Sequence, residues 1–404
     1  MIKRARVLLI GAALTTIVAA VAPAQEIVNG KATLPERRMQ GFVNDGVGRK
    51  TLEEVMARVK TTQGDGPSSW VREWSMEGAA QEKAAASIAA AGDNAATFNA
   101  YLLAANYYSI AGFPEYYTPA EKQALRKHLA AYEKAGEYMS PPLQVVPVEV
   151  RGHKMKTYLH RPARAGRPPL ILWTNGTDKF KAQAYSAVSK LVSMGFAVVT
   201  FDIAGVAEND VWKLTPDGEF VHRAVLDHYA ARKDIDPANI FEVGVSFGGY
   251  FAARMAARND PRLRAVAAVC GPVHSVFTMT VPQTRAALAS PERRTILAFS
   301  HRIGVATEDL DAYTKAVARF SLVNQKVIIP GRKTIKTPLL VANGGRDSLS
   351  TIADMQLLAG AAETQEVWTM GMSQHCAPEY FGELVRDIGE WFLEHADREA
   401  RAGT

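Results

Sequence analysis

The chain of 404 residues contains only two cysteines, Cys270 and Cys376. Two thiols are too few for a disulfide-framework fold or for a cysteine-rich metal site, so both classes are excluded. In an oxidising compartment the two could pair, since both are expected near the same sheet edge, but two separate thiols are the favoured expectation. Aromatic residues make up 8% of the chain and do not interleave with a basic block, which argues against nucleic acid as a partner.

The chain also has little excess charge once its N-terminus is considered. The formal net charge is +6, but three basic residues lie within the first six positions. An apolar run follows over residues 7–21, and small residues precede a cleavage site after Ala24, which predicts a signal peptide over residues 1–24. Its removal lowers the net charge from +6 to +3. We expect a periplasmic or secreted mature chain with no membrane span; an uncleaved anchor is the alternative, but the run is short for a bilayer.

The rest of the chain divides into three regions. Residues 25–50 are polar, glycine-rich and unperiodic, which predicts an extended arm. Residues 51–140 are alanine-rich with helical spacing and predict an all-α cap domain of about four helices. Residues 141–404 alternate between strand and helix patterns, which predicts an α/β domain with an eight-stranded, mostly parallel sheet. An insertion over residues 273–333, between the sixth and seventh strands, is expected to form a lid. The strand candidates are residues 144–150, 154–160, 169–174, 197–202, 240–245, 265–270, 337–342 and 365–370.

The most informative motif is Gly-x-Ser-x-Gly at residues 244–248. Small residues two before and two after the serine allow a very sharp turn, and the strain of that turn exposes the hydroxyl group. The pattern alone arises often by chance. Here a β-rich apolar run precedes it and an alanine-rich helical run follows, so the context predicts a nucleophile elbow at Ser246.

A nucleophilic serine needs a base and a carboxylate that orients the base. Asp347 directly follows the seventh predicted strand, and His375 directly follows the eighth. The resulting order of serine, aspartate and histidine is that of α/β-hydrolases. Asp354 competes for the carboxylate role, but it lies inside the following helix. We therefore predict a catalytic triad of Ser246, His375 and Asp347.

Attack on a carbonyl group also needs donors for the oxyanion. In this fold the donors are two backbone N–H groups, one after the nucleophile and one in the loop after the third strand. Phe247 supplies the first. Gly176 permits a tight turn in this loop; Thr177 is slightly favoured as the second donor, and Gly176 is the alternative. Asp178 in the same loop is a further candidate for the pocket.

Other candidates carry weaker signals. Tyr107 and Tyr108 could face the pocket, although aromatic residues on a helix more often pack in a core. Asp202 ends the fourth strand, where a role as loop organiser is favoured over catalysis. Glu208 and Asp210 could suggest a metal, but no further ligand is spaced to complete a shell. We predict no metal and no cofactor.

Three segments resemble the α/β-hydrolase group that carries an N-terminal helical cap. They are YLLAANYY at residues 101–108, NGTDK at 175–179 and GVSFGG at 244–249. The group includes the fermentation-respiration switch protein, 2,6-dihydroxypseudooxynicotine hydrolase and fungal polyketide-shortening hydrolases, and the resemblance covers about residues 51–395. It implies a serine hydrolase that acts on an ester, or on a carbon–carbon bond next to a ketone.

The chain departs from this group in one respect that bears on the reaction. The pseudooxynicotine enzyme is associated with an extra catalytic glutamate, and residues 270–282 contain none. This favours a small-molecule ester as substrate over carbon–carbon cleavage. A prolyl-oligopeptidase-type peptidase predicts a β-propeller, whereas the N-terminal region is helical. An inactive binding module usually lacks a triad member, and none is missing here. The oligomeric state is not determined by the sequence, and a homodimer formed by two paired cap domains is one alternative.

Overall fold

A computed structural model describes residues 26–28, 31–113, 117–164, 166–289 and 293–397. The predicted signal peptide lies outside these residues. Within the described part of the chain, no helix combines the length and apolar character that crossing a bilayer requires.

The predicted arm is not extended throughout. A short antiparallel hairpin, β1 (Glu26–Val28) and β2 (Lys31–Thr33), leads into helix α1 (Glu36–Asn44). The expectation of an extended segment is therefore wrong for α1. This helix buries only Met39 and Phe42, so its apolar spacing covers a single turn and gives no recognisable period.

Four further helices form the cap region. They begin and end close to the predicted segments, because their apolar faces repeat over several turns. The last of them starts with a capping box, in which Thr118 accepts a hydrogen bond from the backbone N–H of Glu121, and the Glu121 carboxylate accepts one from the N–H of Thr118. The helices are α2 (Arg49–Arg58), α3 (Trp70–Ala90), α4 (Asn94–Gly112) and α5 (Pro119–Gly136).

All eight predicted strands are present in one sheet. Its order is β10-β9-β8-β7-β5-β6-β4-β3, with β3 and β4 antiparallel to their neighbours and the remaining pairs parallel. The fold is the predicted α/β-hydrolase architecture. The strands are β3 (Gln144–Val150), β4 (His153–His160), β5 (Leu170–Thr174), β6 (Ala197–Phe201), β7 (Ile240–Val245), β8 (Leu263–Val269), β9 (Leu339–Gly344) and β10 (Gln365–Met370).

Helices cover both faces of this sheet. Alternate residues of β5 enter two different cores: Ile171 and Trp173 pack with α6 and α13, whereas Leu170 and Leu172 belong to the core on the other face. Burial on both faces explains the near-continuous apolar runs of the parallel strands. The helices are α6 (Tyr185–Ser193) and α13 (Phe381–His395) on one face, and α7 (Phe220–Ala230), α8 (Phe247–Ala257) and α12 (Ile352–Gly360) on the other.

The insertion between β8 and β9 is helical. Its phenylalanines surround the ring of Phe247, whose centroid lies 5.5 Å from that of Phe299, 5.7 Å from that of Phe320 and 6.0 Å from that of Phe277. This aromatic cluster holds the insertion above the turn between β7 and α8. The inserted helices are α9 (Val281–Leu288), α10 (Arg293–Ile303) and α11 (Leu310–Ala318).

A buried charge cluster joins the end of β6 to the loop after β5. Lys181 Nζ lies 2.8 Å from Asp202 Oδ2 and 2.7 Å from Glu208 Oε2, and the Lys181 backbone N–H donates to Asp202 Oδ1 at 2.7 Å. The side chains of Lys181 and Asp202 are 1% and 2% exposed. Asp202 thus organises the loop, as predicted, and Glu208 bonds to the same lysine.

Replacing Lys181 by methionine is expected to lower the free energy of unfolding by about 3–5 kcal/mol, because it leaves the Asp202 carboxylate buried without its cation. Urea unfolding measures the loss. The double variant Lys181→Met, Asp202→Leu should regain most of it, and no recovery would contradict this explanation. Lys122→Met is the control, since Lys122 forms an exposed pair with Asp210 at 3.5 Å that contributes little.

Candidate active site

Ser246 occupies a strained turn between β7 and α8. Its φ of 57° and ψ of −123° are rarely adopted by residues with a side chain. The turn is anchored by the Ser246 backbone N–H, which donates to Val269 O at 2.9 Å. A Cβ on Gly244 would lie 2.1 Å from Gly248 O, and one on Gly248 would lie 2.6 Å from Asn175 O. Both glycines are therefore required by close backbone packing, as the elbow motif predicts.

The three residues predicted to form a triad lie in one hydrogen-bonded chain. Ser246 Oγ is 2.9 Å from His375 Nε2, and His375 Nδ1 is 2.6 Å from Asp347 Oδ2. The carboxylate also accepts hydrogen bonds from Asn343 Nδ2 at 2.7 Å and from the Leu349 N–H at 2.8 Å. Three donors thus fix the orientation of Asp347.

The electrostatics suit proton transfer from the serine. Burial raises the pKa of Asp347, but the charge and hydrogen bonds of its neighbours, above all His375, hold it below its usual value. The ionised carboxylate favours the tautomer that carries hydrogen on Nδ1. The lone pair of Nε2 then faces Ser246 Oγ, which is the arrangement that a general base needs.

The predicted oxyanion loop passes directly beside the serine. A Cβ on Gly176 would lie 2.9 Å from Ser246 Oγ and 3.2 Å from the backbone nitrogen of Phe247. Phe247 is the first residue of α8, so its N–H has no acceptor within the helix. Gly176 and Thr177 both line the cavity at this point. Gly176 makes the close approach, and donation by the Thr177 N–H stays a prediction.

Replacing Gly176 by alanine is expected to lower the catalytic rate constant by about 10² to 10³-fold, because the methyl group would displace the loop that is predicted to supply an oxyanion donor. Steady-state kinetics measures the loss, and circular dichroism checks the fold. Gly360→Ala is the control, since a Cβ there meets nothing within 4 Å. Wild-type kcat in the Gly176 variant would contradict this view of the loop.

A cavity of about 750 Å³ opens onto Ser246 and His375. Asp178 lines it, as predicted. Tyr107 and Tyr108 do not, and a pocket role for them is wrong: the ring of Tyr107 packs 6.0 Å from that of Trp74, and the Tyr108 hydroxyl donates to Glu82 at 2.8 Å. Tyr107 belongs to a core between the N-terminal helices, and Tyr108 belongs to the larger core that continues onto the sheet.

Helix α1 and the residue after it form part of the cavity wall. Arg38 pairs with Asp178, and Lys179 Nζ lies 2.6 Å from Asp45 Oδ2. Burial raises the pKa of Asp178, but the Arg38 guanidinium outweighs it and brings the pKa to about 2. The sequence pattern gives no sign of this contribution. Ion pairs between segments 134 residues apart leave no periodic signal.

A disulfide joins Cys270, directly after β8, to Cys376, the neighbour of His375. The expectation of two separate thiols is wrong. The loops after β8 and β10 meet at one end of the sheet and bring the two Cα atoms to 5.0 Å, within the range that a disulfide spans. The Cys376 N–H also donates to Asn343 Oδ1 at 3.1 Å. Two links therefore fix the loop that carries His375.

Comparison with known proteins agrees with this geometry. Residues 48–395 match the Esterase FrsA-like family. The chain belongs to this family. Among curated relatives, Esterase FrsA of Vibrio cholerae serotype O1 is 27% identical over 340 residues, which cover 80% of this chain and 79% of the relative. Esterase FrsA of Escherichia coli O139:H28 is 26% identical over 360 residues, or 84% of each chain. The chain is a hydrolase of the esterase type.

Solved structures show the same fold for this FrsA-like esterase. A 2,6-dihydroxy-pseudo-oxynicotine hydrolase superposes with a TM-score of 0.74 at 20% identity, covering 89% of this chain and 96% of its own. AbyA5 superposes with a TM-score of 0.70 at 25% identity, covering 88% and 92%. The resemblance to cap-bearing α/β-hydrolases is thereby confirmed.

Loss of the disulfide is expected to lower kcat of the FrsA-like chain by about tenfold with little change in KM, because His375 loses a covalent anchor and small displacements weaken catalysis. The measurement compares the wild type with and without a phosphine reductant. The variant Cys270→Ser, Cys376→Ser should have the same kcat as the reduced wild type, and the reductant should not change its kcat. If thiol titration shows that reduction is complete and the activity is nevertheless unchanged, the disulfide does not position His375.

Proposed function

We propose that this FrsA-like esterase is a serine hydrolase that cleaves a carboxylic ester through an acyl-enzyme. The observation that carries the proposal is the hydrogen-bonded chain of Ser246, His375 and Asp347, with separations of 2.9 Å and 2.6 Å. A strained turn, an oriented imidazole and a fixed carboxylate are the three parts that activate a serine hydroxyl.

Each group has a defined role in the first half of the reaction. Ser246 Oγ attacks the carbonyl carbon while His375 Nε2 accepts its proton, and Asp347 stabilises the imidazolium. The N–H groups of Phe247 and Thr177 donate to the oxyanion. Collapse of the tetrahedral intermediate breaks the ester C–O bond, and His375 returns its proton to the departing alkoxide oxygen, so that an alcohol leaves.

The second half restores the enzyme. Water attacks the acyl group on Ser246 with His375 as its base, and a carboxylic acid leaves. The residues present require no metal or redox group for either half.

Ester cleavage is favoured over carbon–carbon cleavage by the residues beside the nucleophile. The cavity lining between residues 270 and 282 includes Pro272, Ser275, Val276 and Phe277, and residues 270–282 contain no acidic side chain. The similarity to the pseudo-oxynicotine hydrolase is a similarity of fold and does not extend its substrate to this chain.

Hydrolysis of 4-nitrophenyl butyrate by the purified protein, with an aryl 1,3-diketone in parallel, tests the proposal. We expect steady release of nitrophenolate and turnover of the diketone slower by at least about 10²-fold. Faster cleavage of the diketone would favour the carbon–carbon alternative. A folded protein that cleaves neither compound would support an inactive binding module.

The site is further proposed to work in the periplasm. The basic and apolar pattern of residues 1–24 supports export, and so does the disulfide, since disulfides persist in oxidising compartments. N-terminal sequencing of protein from a periplasmic fraction should begin at Gln25. Recovery of the chain in the cytoplasm with Met1 still present would contradict export.

A further inference from the structure

We infer that the site takes an uncharged ester with a bulky apolar group, and that the insertion between β8 and β9 binds this group. The inference rests on the proposed function, because it names the substrate class of the same cavity. Three features of the cavity carry it: the pairing of its charges, the composition of the insertion wall and its size.

The charged side chains of the cavity are bonded within the protein. Arg38 pairs with Asp178, Lys179 pairs with Asp45, and Arg37 has an interaction of its own. A substrate carboxylate in the described cavity would thus lose its water without gaining a free cation, which is strongly unfavourable. The charged side chains that line the cavity are Arg37, Arg38, Asp45, Asp178 and Lys179, and the uncharged titratable side chains are His375 and Tyr313.

The insertion wall has the opposite character. None of its described residues that line the cavity is charged, and they include Val276, Phe277, Ile296 and Phe299. The ring of Phe299 lies 5.5 Å from that of Phe247, the residue after the nucleophile. The apolar surface therefore begins beside the reacting atoms and continues under the inserted helices. A substituent on the carbonyl carbon or on the ester oxygen can reach it directly.

The size of the cavity requires more than a short acyl chain. Its volume of about 750 Å³ lies within the range of sites that enclose drug-sized ligands, which is roughly 300 to 1,000 Å³. An acetyl group would leave most of the apolar wall in contact with water. A phenyl group or a branched chain would bury that wall, and the hydrophobic effect favours such a substrate in the transition state.

Four 4-nitrophenyl esters of RCH₂CH₂COOH test the inference, with R as methyl, phenyl, 4-carbamoylphenyl or 4-carboxyphenyl. The last two have nearly the same shape and differ in charge. We expect kcat/KM for phenyl to exceed that for methyl by about 10- to 100-fold. We expect the carboxyphenyl ester to react at least about 100-fold more slowly than its carbamoyl counterpart.

Variants of the insertion wall assign the effect to its residues. Ile296→Lys puts an unpaired cation on the wall. It should raise the ratio of kcat/KM for the carboxyphenyl ester to kcat/KM for the carbamoylphenyl ester by about tenfold or more. Val211→Lys adds the same charge at an exposed position outside the cavity and should leave the ratio unchanged. Phe299→Leu, a conservative change, should reduce the preference for phenyl over methyl.

The outcomes separate this inference from the proposed function. Similar kcat/KM for phenyl and methyl, or for the carboxyphenyl and carbamoylphenyl esters, would overturn the substrate class and leave the esterase intact. No hydrolysis of any of the four esters by folded protein would overturn the proposed function and the inference with it.

Discussion

Replacing Ser246 by alanine is expected to lower kcat for 4-nitrophenyl butyrate by about 10⁶-fold, because the variant lacks the oxygen that we propose forms the acyl-enzyme. His375 and Asp347 would remain in place, but a base without its nucleophile contributes little. The residual rate should come from direct attack of water on the ester, with the oxyanion donors stabilising the transition state. Stopped-flow and overnight assays together cover the range that this comparison needs.

A second serine in the same cavity provides the control for this variant. Ser186 lines the cavity but lies outside the hydrogen-bonded chain, so Ser186→Ala should keep near wild-type kcat. The Ser246 variant should also remain folded, because alanine at φ 57° is strained to a similar degree as serine. An active Ser246→Ala protein would refute the assigned nucleophile.

Replacing Asp347 by asparagine is expected to lower kcat by about 10⁴-fold. The carboxylate now accepts hydrogen bonds from Asn343, Leu349 and His375. The asparagine side chain has an NH₂ donor in place of one carboxylate oxygen. When this NH₂ group faces His375 Nδ1, the imidazole carries its hydrogen on Nε2. That tautomer cannot accept the proton of Ser246.

Asp354, the competing carboxylate, distinguishes this effect from general disruption. Its carboxylate accepts hydrogen bonds from the backbone N–H groups of Val273, His274 and Ser275, and it anchors the start of the insertion. Asp354→Asn should therefore lower the melting temperature and reduce kcat far less than Asp347→Asn does. A larger kcat loss at Asp354 would reassign the carboxylate.

The pKa of Asp347 adds a pH dependence to stability. Because its folded-state pKa lies below the usual value, the group stabilises the fold above the unfolded-state pKa of about 3.9. That contribution is lost as the pH falls through the lower folded-state pKa. Melting curves of wild type and Asp347→Asn should therefore converge in acid, and a constant difference would contradict the stabilising role of the carboxylate.

The sheet could be predicted because its strands are short apolar runs between turn residues and helices. Strands β3, β7 and β10 have the predicted bounds, and the other five differ by at most two residues at either end. The prediction of the triad depended on these strand positions. Once the strands are placed, Asp347 and His375 fall in the loops where an α/β sheet holds its functional groups.

The cavity wall could not be predicted in the same way. Helix α1 is too short for a clear period, and its contact with Asp178 depends on tertiary packing. Tyr107 and Tyr108 lie on a helix that is buried on nearly all sides, so spacing does not tell which face meets the pocket. Predicting the disulfide requires the distance between the two loops that carry the cysteines, and the composition of the chain does not contain that distance.

Mass spectrometry after fluorophosphonate treatment tests most directly whether Ser246 is the nucleophile. Tryptic digestion yields one peptide, residues 234–254, that contains Ser246 as its only serine. We expect a stoichiometric phosphonyl adduct on this peptide in the wild type and none in Ser246→Ala. A folded, unlabelled wild type, or an adduct on another serine that persists in the variant, would contradict this expectation.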